Sequence, residues 1–181
     1  MTTMHERNTT WDELAEAHRR ARPASAAPEG VPPHQPQVAV LTCADARVSP
    51  ARLFDLPAGA LFTVRVAGAS ATTEAVASLG YAVEQLGVRT LVVLGHTHCG
   101  AVTAAVDGVD DAAIESIVAP IRPVVTPACG EVHCAVPAHV TATVAALHDD
   151  PGPLGAALRS GRAEVHGAIV DVADGSLTRL T

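Results

Sequence analysis

Two cysteines, a histidine and a carboxylate–guanidinium pair carry the chemistry of this sequence. They lie in two short segments, Cys43-Ala44-Asp45-Ala46-Arg47 and Gly95-His96-Thr97-His98-Cys99-Gly100. Thiolate sulfur and neutral imidazole are ligands of tetrahedral zinc, and Cys43, His96 and Cys99 fill three of its four positions. A fourth position left open is the pattern of a catalytic rather than a structural zinc. The His96-x-x-Cys99 spacing sets two donors on one turn, so Cys43 must arrive from a neighbouring element. Asp45 and Arg47 follow Cys43 closely enough to form a charge-assisted pair beside the cation. The competing reading is two buried thiols and a core histidine. An acid and a base placed directly after a buried run and a candidate ligand weigh against it. The chain reads as a zinc enzyme, with Zn2+ as cofactor.

Both segments follow continuously apolar, β-rich runs, Val38–Thr42 and Thr90–Leu94, which read as strands buried on both faces. The donors therefore sit at the carboxyl ends of two strands, where open α/β sheets collect ligands. Further strands are expected at Leu61–Val66 and Glu164–Val172, with Asp174-Gly175 turning the chain into a short final one. Helices are expected at 10–20, 51–54, 71–86, 99–106, 110–118, 137–148 and 153–159. Ser49-Pro50 offers a cap and a first-turn proline for the second of these, and Gly87 ends the third. Strands alternating with helices mean an α/β fold with a mainly parallel sheet, of order 2-1-3-4, flanked by helices. Residues 1–37 form an amino-terminal helical arm: 1–9 read as disordered and Pro-rich 22–37 as an extended linker. The catalytic domain is then 38–181.

The 181 residues include 48% apolar side chains but only 2% aromatic ones, so the core is built from Ala, Val and Leu. Burial between subunits would help such a chain. A net charge of -7 argues against nucleic acid and anionic membranes as partners, and no apolar run approaches the ~20 residues of a membrane span. Every basic residue is Arg, which we read as base-composition bias. Four cysteines without a leading apolar segment point to the reducing cytoplasm, where thiols are ligands or inert rather than disulfide-bonded. Cys129-x3-His133-Cys134 has no visible fourth ligand and reads as inert thiols. His98, between two ligand candidates, is expected to face solvent, with a proton-shuttling role as the less common alternative.

Taken together, the two segments resemble the β-class carbonic anhydrases, whose signatures are Cys-x-Asp-Ser-Arg and, some fifty residues later, Gly-His-Ser/Thr-x-Cys-Gly. Leu61–Gly68 is similar to the family's Phe-x-x-Arg-Asn-x-Ala strand. Ser78–Val83 is similar to its Ser-Ile-Glu-Tyr-Ala-Val helix, and Val165–Gly175 more loosely to its terminal strand. The resemblance covers about residues 34–107 closely and 164–176 loosely.

It implies zinc held by Cys43, His96 and Cys99, completed by water or, in a closed form, by Asp45. It implies that Asp45 orients the nucleophile and that Arg47 holds Asp45 off the metal. It further implies that Phe62, Tyr81 and Gly100 belong to a small apolar carbon dioxide pocket, often built across a dimer interface. Plain core packing of the two aromatics is the competing reading. The implied reaction is reversible hydration of carbon dioxide to bicarbonate by a homodimer or dimer of dimers. Alternatives are hydrolysis of carbonyl sulfide or carbon disulfide at the same centre, or a zinc-stabilised paralogue without activity. The chain departs from the pattern at Ala46 (usually Ser), Val66 (usually Asn) and His34, where the family's active-site Gln falls one place from Gln35. Val40 replaces the Trp of an allosteric bicarbonate site, and Ala168 and Val170 replace aromatics, so bicarbonate regulation is not expected.

Overall fold

Continuously apolar runs become the middle of the sheet. In the computed structural model, which describes residues 9–21, 33–125 and 129–181, β1 (Val38–Thr42) pairs in parallel with β2 (Leu61–Arg65) and with β3 (Thr90–His96). β3 pairs in parallel with β4 (Glu164–Val170), and β4 pairs antiparallel with β5 (Leu177–Arg179). The order β2-β1-β3-β4-β5 is the expected 2-1-3-4 with the short last strand added at the edge. No residue of β1 beyond Val38 is more than marginally exposed, as its unbroken apolar character requires.

The chain divides into two units, Met1–Pro33 and His34–Thr181. The first contains α1 (Trp11–Ala21), opened by a reciprocal cap in which Glu13 N donates to Thr10 Oγ1 and Thr10 N donates to Glu13 Oε2. Thr10 is thus the capping residue. Among the described residues of this unit α1 buries none of its side chains. The disordered start expected at 1–9 lies outside the described residues except for Thr9, and the extended arm expected at 22–37 lies outside them from 22 to 32. Of that arm, 33–36 carry no regular structure and Gln37 N donates to Ala60 O.

In the second unit, α3 (Thr73–Glu84), α6 (Val132–Asp149) and α7 (Pro153–Arg159) cover one face of the sheet around Leu41, Leu79, Leu91, Leu147 and Leu154. The opposite face packs Val40, Leu94 and Val170 against Val48 and α2 (Pro50–Leu53). A third cluster, around Val102, Val118, Ile121 and Val136, sits beside the ends of β1 and β3 and includes Cys43 and Cys99.

Three helix expectations shift, each for a local reason. The helix expected over 71–86 begins two residues later, because Thr72 is its cap and its hydroxyl accepts from Ala75 N. The helix expected over 110–118 shrinks to α5 (Glu115–Val118), since the Asp111 carboxylate accepts from Ala113 N and holds a turn there. The helix expected to start at Pro137 starts at Val132, leaving Pro137 in its interior. There the proline forfeits only the bond its nitrogen would give to the residue four before it, while Cys134 N and Ala135 N both donate to Glu131 O. Among the described residues no helix is long and apolar enough to cross a membrane.

Candidate metal centre

Register delivers the three donors. Thr42, the last residue of β1, lies opposite Leu94, so the chain leaving β1 carries Cys43 to the level where β3 ends in His96. A tight turn at 97–99 then returns Cys99 as the cap of α4 (Gly100–Val106). The turn closes only because His98 takes a positive φ of 55°, uncommon for a residue with a side chain and of the kind that collects at functional sites. Cys43, His96 and Cys99 are buried, with donor atoms all within 4.8 Å of one another.

These residues fit a thiophilic, tetrahedral cation. The two sulfurs stand 3.9 Å apart. Two thiolates sharing one zinc at their usual bond length would stand about 3.8 Å apart. His96 Nδ1 donates to Thr97 O at 2.9 Å, which leaves the Nε2 lone pair free to face the sulfurs. His96 Nε2 is buried without a hydrogen-bond partner, a costly arrangement unless something binds there. Gly68 N donates to Cys43 Sγ at 3.3 Å. Gly68 has φ +78°, and a Cβ there would come within 2.9 Å of Ile121 Cδ1, so glycine alone allows that approach.

The electrostatics already favour anionic sulfur. The neighbouring Cys99 sulfur, against the opposing effect of burial, brings the Cys43 thiol down to about 4, helped by His96 and Gly68 N. Cys99 is pushed up, first by its neighbour Cys43 and then by burial. Two sulfurs this close disfavour a pair of thiolates, and a cation bound between them would remove that repulsion. Burial pushes His96 down, yet its interaction with the Cys43 thiolate and with Thr97 O outweighs this and raises it.

Asp45 and Arg47 form the expected pair, and the geometry is bidentate. Arg47 Nε donates to Asp45 Oδ1 at 2.9 Å and Nη2 to Oδ2 at 2.7 Å, while Arg47 N adds a third bond to Oδ1. The guanidinium holds the Asp45 carboxyl well below the usual carboxylate range, against the opposing effect of burial. Arg47 Nη2 also donates to His98 O, which ties the turn after Cys43 to the turn between His96 and Cys99. Asp45 Oδ2 stands 3.9 Å from His96 Nε2, at the edge of the donor cluster.

Two contributors were not singled out in the sequence. Arg65, last in β2, donates Nε to Cys43 O and Nη2 to Asp45 O, fixing the backbone between Cys43 and Asp45. Its signal was its place at the end of a strand parallel to β1. His139, in α6, lines the narrow cavity of about 10 Å³ shared with Cys43, Gly68, His96 and Cys99, and its Nε2 pairs with Ser70 Oγ at 3.2 Å. Burial pushes His139 down. Nothing short of the folded packing would have placed it there.

The residues read as a substrate pocket are gathered differently. Phe62 and Tyr81 lie together, ring centroids 6.3 Å apart, and His34 stacks on Phe62 at the same separation. Neither aromatic lines the cavity at the donors, and Tyr81 is 51% exposed. Gly100 opens α4 beside Cys99 and is exposed. His98 is exposed as expected. The remaining cysteines correct an expectation: Cys129 and Cys134 are disulfide-bonded rather than inert thiols. The turn into α6 brings their Cα atoms to 6.0 Å, within disulfide reach, which spacing and an inferred compartment could not reveal.

A family model described as carbonic anhydrase matches residues 38–177. A "Carbonic anhydrase" of Mycolicibacterium smegmatis is 34% identical over 150 residues, which cover 78% of this chain and 73% of the relative. "Carbonic anhydrase 2" of Mycobacterium tuberculosis is 42% identical over 77 residues, 42% of this chain, and the match spans only 37% of that relative's length. Among solved structures, a tetrameric β-carbonic anhydrase of the ascomycete Sordaria macrospora superposes with a TM-score of 0.73 at 23% identity, over 81% of each chain. The donor geometry, the sheet order and a match running from β1 into β5 agree, and the chain belongs to the β-class carbonic anhydrase family.

Proposed function

We propose that the protein is a cytoplasmic zinc enzyme that hydrates carbon dioxide reversibly to bicarbonate and a proton, working as a homodimer or dimer of dimers. The observation that carries this reading is the unpartnered Nε2 of His96 facing two buried sulfurs beside a carboxylate locked by arginine. Cys43, His96 and Cys99 hold the metal. Zinc so held supplies a water acidic enough to act as a nucleophile near neutral pH.

The chain's own residues do the rest. Asp45 is kept ionised by Arg47, so it accepts a hydrogen bond from the attacking water and aims it at the carbon of the substrate. Arg47 occupies both carboxylate oxygens and restrains Asp45 from turning into the donor cluster. Arg65 fixes the main chain beneath Asp45. Phe62, Tyr81 and Gly100 supply the wall of a small apolar pocket. The exposed Tyr81 and the half-buried Phe62 reach such a pocket most simply on a partner subunit. The tetrameric state of the Sordaria macrospora relative is in keeping with oligomerisation.

The test is stopped-flow hydration of carbon dioxide with metal-assayed protein, repeated with carbonyl sulfide as substrate. Hydration that scales with zinc content supports the reading. Turnover of carbonyl sulfide alone, or none of either by zinc-loaded protein, overturns it.

A further inference from the structure

The loop that enters α6 repeats the chemistry of the first centre in an exposed setting. Cys129 Sγ, Cys134 Sγ and a ring nitrogen of His133 lie within 4.8 Å of one another. His133 Nε2 stands 3.4 Å from Cys134 Sγ. A thiolate and an imidazole sharing one zinc would stand about 3.6 Å apart. The other ring nitrogen, Nδ1, lies 3.0 Å from Glu131 Oε2. A carboxylate on Nδ1 fixes the tautomer that leaves Nε2 as a lone-pair donor, the arrangement that habitually stands behind metal-bound histidines. Cys134 lies in the first turn of an 18-residue helix, where the positive end of the dipole favours thiolate. The sulfurs are engaged with each other in a disulfide.

We infer that Cys129, His133 and Cys134 form a second, redox-gated binding site for a thiophilic divalent cation such as zinc, closed by the disulfide and opened by its reduction. The two states exclude each other because they use the same sulfurs. A dithiol reductant opens the site: it passes two electrons and two protons to the Cys129–Cys134 bond, giving two thiols, and is itself oxidised to a disulfide. Binding the cation then releases the two thiol protons as both sulfurs become ligands. Cα atoms 6.0 Å apart allow the two sulfurs to span the edge of a metal tetrahedron by side-chain rotation, without moving α6. Water supplies the fourth ligand, since Glu131 is spent on His133. All three donors are at least partly exposed, so reductant and ion reach them without unfolding. The first centre differs on this point, as its sulfurs are buried and unbridged.

The experiment is a Co2+ titration of the full, metal-stripped chain, followed by cobalt–thiolate charge-transfer absorption and by elemental analysis. It is run on oxidised protein and on protein reduced with a dithiol, then desalted without oxygen. The expected result is one equivalent per oxidised chain and two per reduced chain. His133→Ala, which leaves the disulfide and α6 in place, should weaken the second equivalent at least 10-fold and leave the first unchanged. Glu131→Gln should weaken the second by about 10–100-fold, the usual effect of removing the carboxylate behind a ligating histidine. A single equivalent in reduced protein, two in oxidised protein, or a second equivalent indifferent to His133→Ala would each overturn the inference. Loss of the first equivalent alone would count against the catalytic centre instead.

Discussion

Gly95→Ala is a small change that should be felt both in stability and at the metal centre's doorstep. A Cβ built on Gly95 would meet Val140 Cγ2 at 2.5 Å, with Val136 Cγ1 at 3.6 Å and Ile169 Cγ1 at 3.7 Å behind it. Ordinary carbon–carbon contacts lie at 3.5–4.0 Å, so either β3 or α6 must retreat by about 1 Å. β3 is hydrogen-bonded in parallel to strands on both sides, so the yielding element is α6 through Val140. Overpacking of this size costs about 1–3 kcal/mol. For a chain of this length that lowers Tm by roughly 2–12 °C. Val140→Ala alone should also destabilise, by about 1–3 kcal/mol for two lost methyls and the space they leave. The double variant removes the clashing atom, so it should be more stable than the sum of the two costs by about 0.5–3 kcal/mol. Calorimetry on the four proteins of the cycle measures this, and bound metal per chain should stay at one equivalent in each oxidised protein. Additive costs, or a Gly95→Ala protein as stable as the parent, would refute the close-approach argument.

Other expectations follow from the same geometry. Cys43→Ala or Cys99→Ala should abolish metal binding by oxidised protein, whereas Cys129→Ala should leave it at one equivalent; elemental analysis decides. Asp45→Asn should keep the metal but lose carbon dioxide hydration by about 10–100-fold or more, as for other losses of a positioned neighbour, and near-normal turnover would remove Asp45 from its orienting role. Because Arg47 occupies Asp45, activity should rise smoothly between about pH 7 and pH 8.5, and an abrupt loss below about pH 8 with an Asp45 oxygen on the metal would contradict this. The Asp45 carboxyl lies lower in the folded chain than its unfolded value of about 3.9, so the stability it confers is complete above that pH and lost as pH falls; Arg47→Ala should flatten that acid limb. Sedimentation should show a dimer or larger at micromolar concentration, and removing residues 1–30 should weaken it; a folded, active monomer would refute the exposed-aromatic argument.

The central strands β1 and β3 were legible in the sequence because a strand buried on both faces must be apolar throughout, and such runs have few other readings. The grouping of Cys43, His96 and Cys99 was legible for a related reason: sulfur and imidazole at strand ends are chemically conspicuous. Helix ends were less so, since a single hydroxyl at Thr72 or a carboxylate at Asp111 decides them locally, against the wider apolar pattern.

What the sequence determined by itself was the alternation of elements, the parallel sheet and the donor types, all of which follow from local period and side-chain chemistry. Tertiary structure alone decided how the donors meet. Parallel register set Cys43 level with the end of β3, the strained turn at His98 returned Cys99, and Arg65 crossed from β2 to hold the backbone between them. It also decided the fate of Cys129 and Cys134, because whether two thiols bond depends on a separation of 6.0 Å between Cα atoms. Distances of that kind arise from how elements pack, and no residue's own chemistry encodes them.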